Sequence, residues 1–445
     1  MSRLRRVWIR LQSNFWFVPS LIVAAGVVMA GVLTEVDAGW SSGLAVRWPR
    51  LFGAGPDGAR EMMSTIAGSM MTVVGVTFSI VLMVLALASS QYTSRILRNF
   101  MRSRVTQAVL GIFAGIFTYS LIVLRTIRGG DESFVPNLAV FFGFAMALGG
   151  VGALVIFIHH ISESIQASSI IAAVCRDTER AVDSLFPDEC GTDPEGADRE
   201  DPPVVSPAGR IWHGVPSRVS GYVQGVRISV LLEYAREADT IVRMERGVGD
   251  FVVEGTPLVW LAGPGPHDEG SIRAVCDAFA IGNYRTVEED AAYGIRQIVD
   301  MALKALSPGV NDTTTAVVCV DYLTCIMARV VTRRIPPAQR FDGVVLRMLV
   351  KGPSFASLMD ESFDQIRCCA KGNTAVLLRV FGALGTIAGR TTDPRRLTVI
   401  GEHVRRTEEV ARGSADWSHE RALVDAGAAD ARRVLRMEDA GVPGR

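Results

Sequence analysis

From Met62 to Ser94 the chain carries no charged residue, the longest such run it contains. A helix of that length rises about 50 Å against a hydrocarbon core about 30 Å thick, so it spans a bilayer and projects beyond it. Within it Ser64, Gly68, Thr72, Gly75 and Ser79 recur at steps of three and four. That spacing gathers small and polar groups on one helical face and makes the five residues candidates for lining a pore. The run continues through Ser89, Ser90 and Gln91 into Arg95, Arg98, Arg102 and Arg104. These four arginines predict a basic collar at the membrane surface, with anionic lipid headgroups as partners.

Three further uncharged runs flank the central one: Leu11 to Thr34, Val105 to Leu124, and about Phe134 to Ile158. The first follows Arg3, Arg5, Arg6 and Arg10 but is longer than a signal-peptide core and lacks a clear small-x-small cleavage site, so it is expected to stay as a span. The segment from Glu35 to Glu61 is expected as a polar loop. In the third run Gly111 and Gly115 form a small-xxx-small pair, which permits close helix approach in lipid. Residues 1–160 therefore predict a transmembrane domain of four helices. Basic residues concentrate in the N-terminal flank and the collar, which predicts both termini on the cytosolic side of a bacterial inner membrane.

Beyond the fourth run the character changes. A helical apolar pattern through Ile161, Ile165, Ile171, Val174, Val182 and Leu185 predicts that 161–186 extend the fourth span as a rod. Residues 187–209 are acidic and Pro-rich and read as a linker. Residues 210–265 read as a small β module and 266–445 as a mainly helical cytosolic domain. With 46 basic and 46 acidic side chains, nothing in the charge points to nucleic acid. Cys175, Cys190, Cys276, Cys319, Cys325, Cys368 and Cys369 all follow the last span with no zinc or disulfide spacing, which suits a reducing compartment.

In the β module, Gly214 to Val226 predicts a strand, Ser229 a cap for a helix to Glu237, and Ile241 to Met244 a second strand. Gly221, Val223, Gly249, Asp250, Val252, Gly255 and Leu258 fall in a pattern that resembles the barrel-sandwich domains of lipoyl carriers and membrane-fusion adaptors. No lysine precedes Lys304, so that resemblance brings no lipoyl or biotinyl attachment and implies only a structural module. Further on, Thr286 and Glu289 predict a capping box and Asp312 a helix cap. Between those helices Ser307, Gly309, Asn311, Asp312 and Thr313 form a loop with two readings: an anion or ligand site at a helix N-terminus, or a helix-turn-helix corner.

The stretches Ser64 to Arg98, Arg102 to Val123, Gly249 to Leu258 and Ala305 to Ala316 together make the chain similar to a bacterial family of predicted integral membrane proteins classed as a domain of unknown function (2254). The resemblance implies membrane location and carries no activity, cofactor or site residue with it. No nucleophile elbow, phosphate loop, zinc spacing or intramembrane carboxylate pair is present, so neither catalysis, cofactor nor metal is expected. Two functions stay open. One is a homo-oligomeric channel or solute pathway lined by the second span and regulated by the cytosolic part. The other is a non-conducting membrane-anchored sensor or scaffold whose cytosolic domain binds a partner, the small residues then serving helix packing.

Overall fold

A computed structural model describes residues 16–47, 55–91, 104–129, 134–164, 166–186, 211–263, 268–415 and 417–439. They fall into two compact units, Met1–Ser169 and Ile170–Arg445.

Among the described residues the first unit holds α1 (Phe17–Arg47), α2 (Pro56–Gln91), α3 (Arg104–Thr126) and α4 (Asn137–Ser164). Helix α3 is its centre, with Val109, Phe113, Ile116, Tyr119 and Val123 buried among side chains of the other three. Glycines set the helix spacing. A Cβ on Gly111 would stand 2.9 Å from the Pro19 Cα, and one on Gly26 would stand 3.1 Å from the Gly115 carbonyl oxygen. Position rises along α1 as it rises along α3, so these two run parallel. Met63 meets Gly143 and Met70 meets Gly150, so α2 and α4 run parallel as well. Arg60 of α2 donates to the Ile127 carbonyl just beyond α3, which sets the two pairs antiparallel.

Helix α1 reaches Arg47 and α2 opens at Pro56, so the polar loop expected from Glu35 to Glu61 is helical at both ends. Asp37 of α1 is buried with its partners on another helix. Its carboxylate, 3 % exposed, accepts from the Leu138 and Ala139 amides at 3.2 and 3.0 Å and so caps α4 from a neighbouring helix. An acid at a helix N-terminus satisfies orphan donors and meets the positive end of the macrodipole. At the same end of the unit Arg60 supplies the complementary charge beside the carbonyl end of α3. The rod expected over 161–186 is two helices, because α4 closes at Ser164 and α5 (Ala167–Leu185) opens after the non-helical Gln166. Gln166 N–H instead reaches Glu163 O at 3.3 Å, a tight turn that ends the α ladder.

Among its described residues the second unit contains two sheets. One has the order β1 (Trp212–Pro216), β5 (Pro257–Ala262), β3 (Ile241–Met244), β8 (Val345–Leu349), β7 (Gln339–Asp342); the other has β4 (Phe251–Val252), β2 (Gly221–Val226), β6 (Phe279–Gly282). The single strand expected from Gly214 to Val226 is thus β1 and β2, in different sheets, separated by a turn in which the Ser217 hydroxyl donates to Val219 O. Val223 and Val252 from one sheet and Val242, Leu258, Leu261 and Met348 from the other share a core with α6 (Ile228–Glu237) and α7 (Glu269–Asp277). Helix α6 opens at Ile228 with no side-chain cap, so Ser229 lies inside it. The β region continues past residue 265, since β6, β7 and β8 come from later in the chain.

The remaining helices are α8 (Ala291–Ala305), α9 (Thr313–Val330), α10 (Phe355–Cys369), α11 (Thr374–Ala388), α12 (Pro394–Arg412) and α13 (Ser418–Asp439). Asp290 caps α8 through Tyr293 N, one residue beyond the Thr286–Glu289 box expected there. Asp312 caps α9 as its position predicts. Five described helices, α1 to α4 and α9, are long and apolar enough to cross a membrane. Helix α9 differs from the others in packing beside α8 and α11 with its charges paired: Asp321 with Arg379, and Arg329 with Asp183 at 2.7 Å.

Candidate functional site

The buried face of α2 carries Met63, Ile66, Met70, Val81 and Val84. Ser64, Gly68, Thr72, Gly75 and Ser79 all lie on the opposite, exposed face. Nothing stands within 4 Å of a Cβ built on Gly68 or Gly75, so this face has no partner among the described residues at those two points. Thr72 Oγ1 donates to Gly68 O at 3.0 Å and Ser79 Oγ to Gly75 O at 2.9 Å. Each hydroxyl proton is therefore satisfied within the helix, leaving oxygen lone pairs outward. Large apolar groups flank the stripe, with Met71 and Phe78 on one side and Val76 and Met83 on the other, all exposed. A shallow channel of small residues between apolar ridges is what a second helix, or a file of water, can approach closely. Of the collar, Arg104 opens α3 and is exposed, whereas Arg95, Arg98 and Arg102 lie outside the described residues.

The loop before α9 is closed on itself. Asp312 Oδ1 accepts from Thr315 N at 3.0 Å, placing the protein's own carboxylate at the helix N-terminus. Hydrogen bonding from Thr315 holds that carboxyl below the usual carboxylate range. Amides of Val310 and Asn311 bond to Ser307 O, and that of Asp312 bonds to Ala305 O at 2.8 Å. Ser307 Oγ is turned to Lys304 O, and Thr313 Oγ1 accepts from Asn373 Nδ2. Asn311 takes the left-handed conformation, φ 48°, that a corner of this tightness needs. These contacts build a helix corner, with Gly309 open to solvent and Ser307, Asn311, Asp312 and Thr313 in the turn.

One constellation has no counterpart in the sequence reading. Asp360 and Asp364 of α10 meet His403 of α12, with His403 Nε2 at 3.3 Å from Asp360 Oδ1 and Nδ1 at 3.7 Å from Asp364 Oδ1. Such a trio can hold a metal ion. Here the same oxygens already carry guanidinium partners, Arg367 on Asp364 at 2.6 Å and Arg406 on Asp360 at 3.2 Å. Two cations so close make a further one unfavourable, and the group reads as an ion network locking α10 to α12. Burial, above all, holds His403 below the usual imidazole range. The i, i+4 spacing of Asp360 and Asp364 was visible in the sequence; their joining to His403 requires the fold.

Residues 12–386 match the family described as "Predicted membrane protein (DUF2254)". Among curated proteins, an uncharacterized protein of Mycobacterium tuberculosis strain CDC 1551 is 32% identical, the alignment covering 98% of this chain and 83% of that protein. An uncharacterized protein of Mycobacterium bovis matches with the same identity and coverage. No solved structure matches.

Proposed function

Because the chain belongs to the DUF2254 family of predicted membrane proteins, we propose that it is a non-catalytic, homo-oligomeric channel or solute pathway, with α2 of each copy turned to a common axis and the second unit as a regulatory domain. On this reading α1 to α4 span a bacterial inner membrane, α9 belongs to the soluble unit, and the two sheets include a barrel-sandwich-like module. The observation that carries it is the exposed face of α2, where five small or polar residues lie opposite the face that fills the core of the unit. A lone span in lipid gains nothing by presenting hydroxyls and glycines to acyl chains, whereas an axis lined by them admits water or a second helix. The collar then draws anionic headgroups at the cytosolic surface.

Purified protein in planar bilayers should conduct, and Thr72→Cys, in a background without other cysteines, should lose most of its current to a thiol reagent. Absence of conductance, or a Thr72→Cys current indifferent to reagent, rejects the pathway and leaves a scaffold or sensor. Orientation is tested separately. With Asp57 fully exposed at the start of α2 and Val344 87% exposed, Asp57→Cys should react with an impermeant maleimide in intact cells and Val344→Cys only after lysis. Reaction of Val344→Cys before lysis would reverse the topology.

A further inference from the structure

Between α2 and α4 lies an open groove of about 400 Å³. Gly58, which offers no side chain, and Ala147, with a short one, leave this space open. Its wall is apolar, from Met62, Ile66 and Phe144, except for the Thr65 hydroxyl and the Glu61 carboxylate. Glu61 is exposed and has no ion-pair partner among the described residues. Its neighbours differ: Arg60 is engaged with Ile127 O and stands 3.9 Å from Asp57. Glu61 stands five residues into α2, about 7 Å along the axis, and Phe144 seven residues into α4, about 10 Å. A carboxylate at the level of the headgroups with an apolar trough below it has the polarity profile of a lipid in reverse charge.

We propose that this groove binds an aminophospholipid, its ammonium paired with Glu61 and one acyl chain laid along Met62, Ile66 and Phe144. Charge complementarity selects this occupant. The ammonium N–H groups donate to the carboxylate, while a headgroup of net negative charge meets repulsion there. The inference needs α2 and α4 to lie in a bilayer with the groove open to lipid; Glu61 stands two turns before Gly68 on the same face of α2, so an assembly that closed this end of that face would exclude the lipid.

Full-length protein in mild detergent, titrated with phosphatidylethanolamine or with phosphatidylglycerol of identical chains, can be read by native mass spectrometry. The protein should retain phosphatidylethanolamine preferentially. Glu61→Gln, a change at an exposed position, should reduce that preference about fivefold, the effect of one interfacial ion pair. Glu61→Asp should restore part of it. Ala147→Trp, which fills the trough, should reduce retention of both lipids together. An unchanged lipid preference in Glu61→Gln overturns the pairing, and undiminished retention in Ala147→Trp overturns the site. Should Thr65→Cys, in a background without other cysteines, form a disulfide dimer that excludes added lipid, the groove is a contact between copies and the proposal also fails.

Discussion

Gly111→Leu should lower the melting temperature of the detergent-solubilised protein by about 6–12 °C, taking about 3 kcal/mol for overpacking and 2–4 °C per kcal/mol for a unit of this size. The first added carbon would stand 2.8 Å from Ile22 Cδ1 and 2.9 Å from Pro19 Cα. The second of these is backbone and cannot turn aside, so α1 must move off α3 or the leucine must abandon its rotamers. The matched control is Gly68→Leu, where nothing lies within 4 Å of the new Cβ. A single copy should tolerate that change in its melt, while assembly through α2 should not. Scanning fluorimetry decides the first part. If Gly111→Leu melts with the parent protein, the close α1–α3 approach is wrong.

The second large effect belongs to the other unit. Gly294 of α8 faces Thr178 of α5 so closely that an added Cβ would overlap Thr178 Oγ1 and stand 2.9 Å from its Cβ and Cγ2. Thr178 is fully buried, β-branched, and bonded through Oγ1 to Val174 O at 2.7 Å, so it has no free rotamer to retreat to. Gly294→Ala should therefore cost about 3 kcal/mol in urea unfolding despite the higher helix propensity of alanine. Trypsin should then cut faster at Arg176 and Arg180 on the loosened α5. Adding Thr178→Ala removes the obstructing hydroxyl and methyl and should recover about half of the loss, as coupling between touching residues requires. Equal stability of Gly294→Ala and the parent would refute the contact.

The long apolar helices were legible because hydropathy is local: α2, α3 and α4 each overlap an uncharged run. Where a charge enters a helix for a tertiary reason, local reading stops too early. Glu35 and Asp37 look like the start of a loop, yet Asp37 is inside α1 because its partner amides sit at Leu138 and Ala139. The apolar pattern crosses residues 161–171 without a break, so the interruption at Gln166 has no compositional signal. Local chemistry named Asp312 as a cap and Thr286 as another, whereas the helix after Thr286 is capped by Asp290, buried beside Arg285. The stripe on α2 was readable as a face. That it points away from the core of its unit was not, because periodicity gives the angle between faces and leaves open which one the neighbours cover.

Strand β3 lies between β5 and β8, and its partner on the β8 side, paired in parallel at Val242 with Met348, is about a hundred residues away in sequence. During synthesis at about 5–20 residues per second, the edge of Ile241 to Met244 waits roughly 5–20 s for β8 to be made. Three helices, α7, α8 and α9, are completed in that interval, and the unpaired apolar edge is the kind that recruits strands from other chains. For this chain the order of emergence from the ribosome, with α1 to α4 first and the closing strand late, makes the passage between residues 244 and 349 the interval in which chaperones have most to protect.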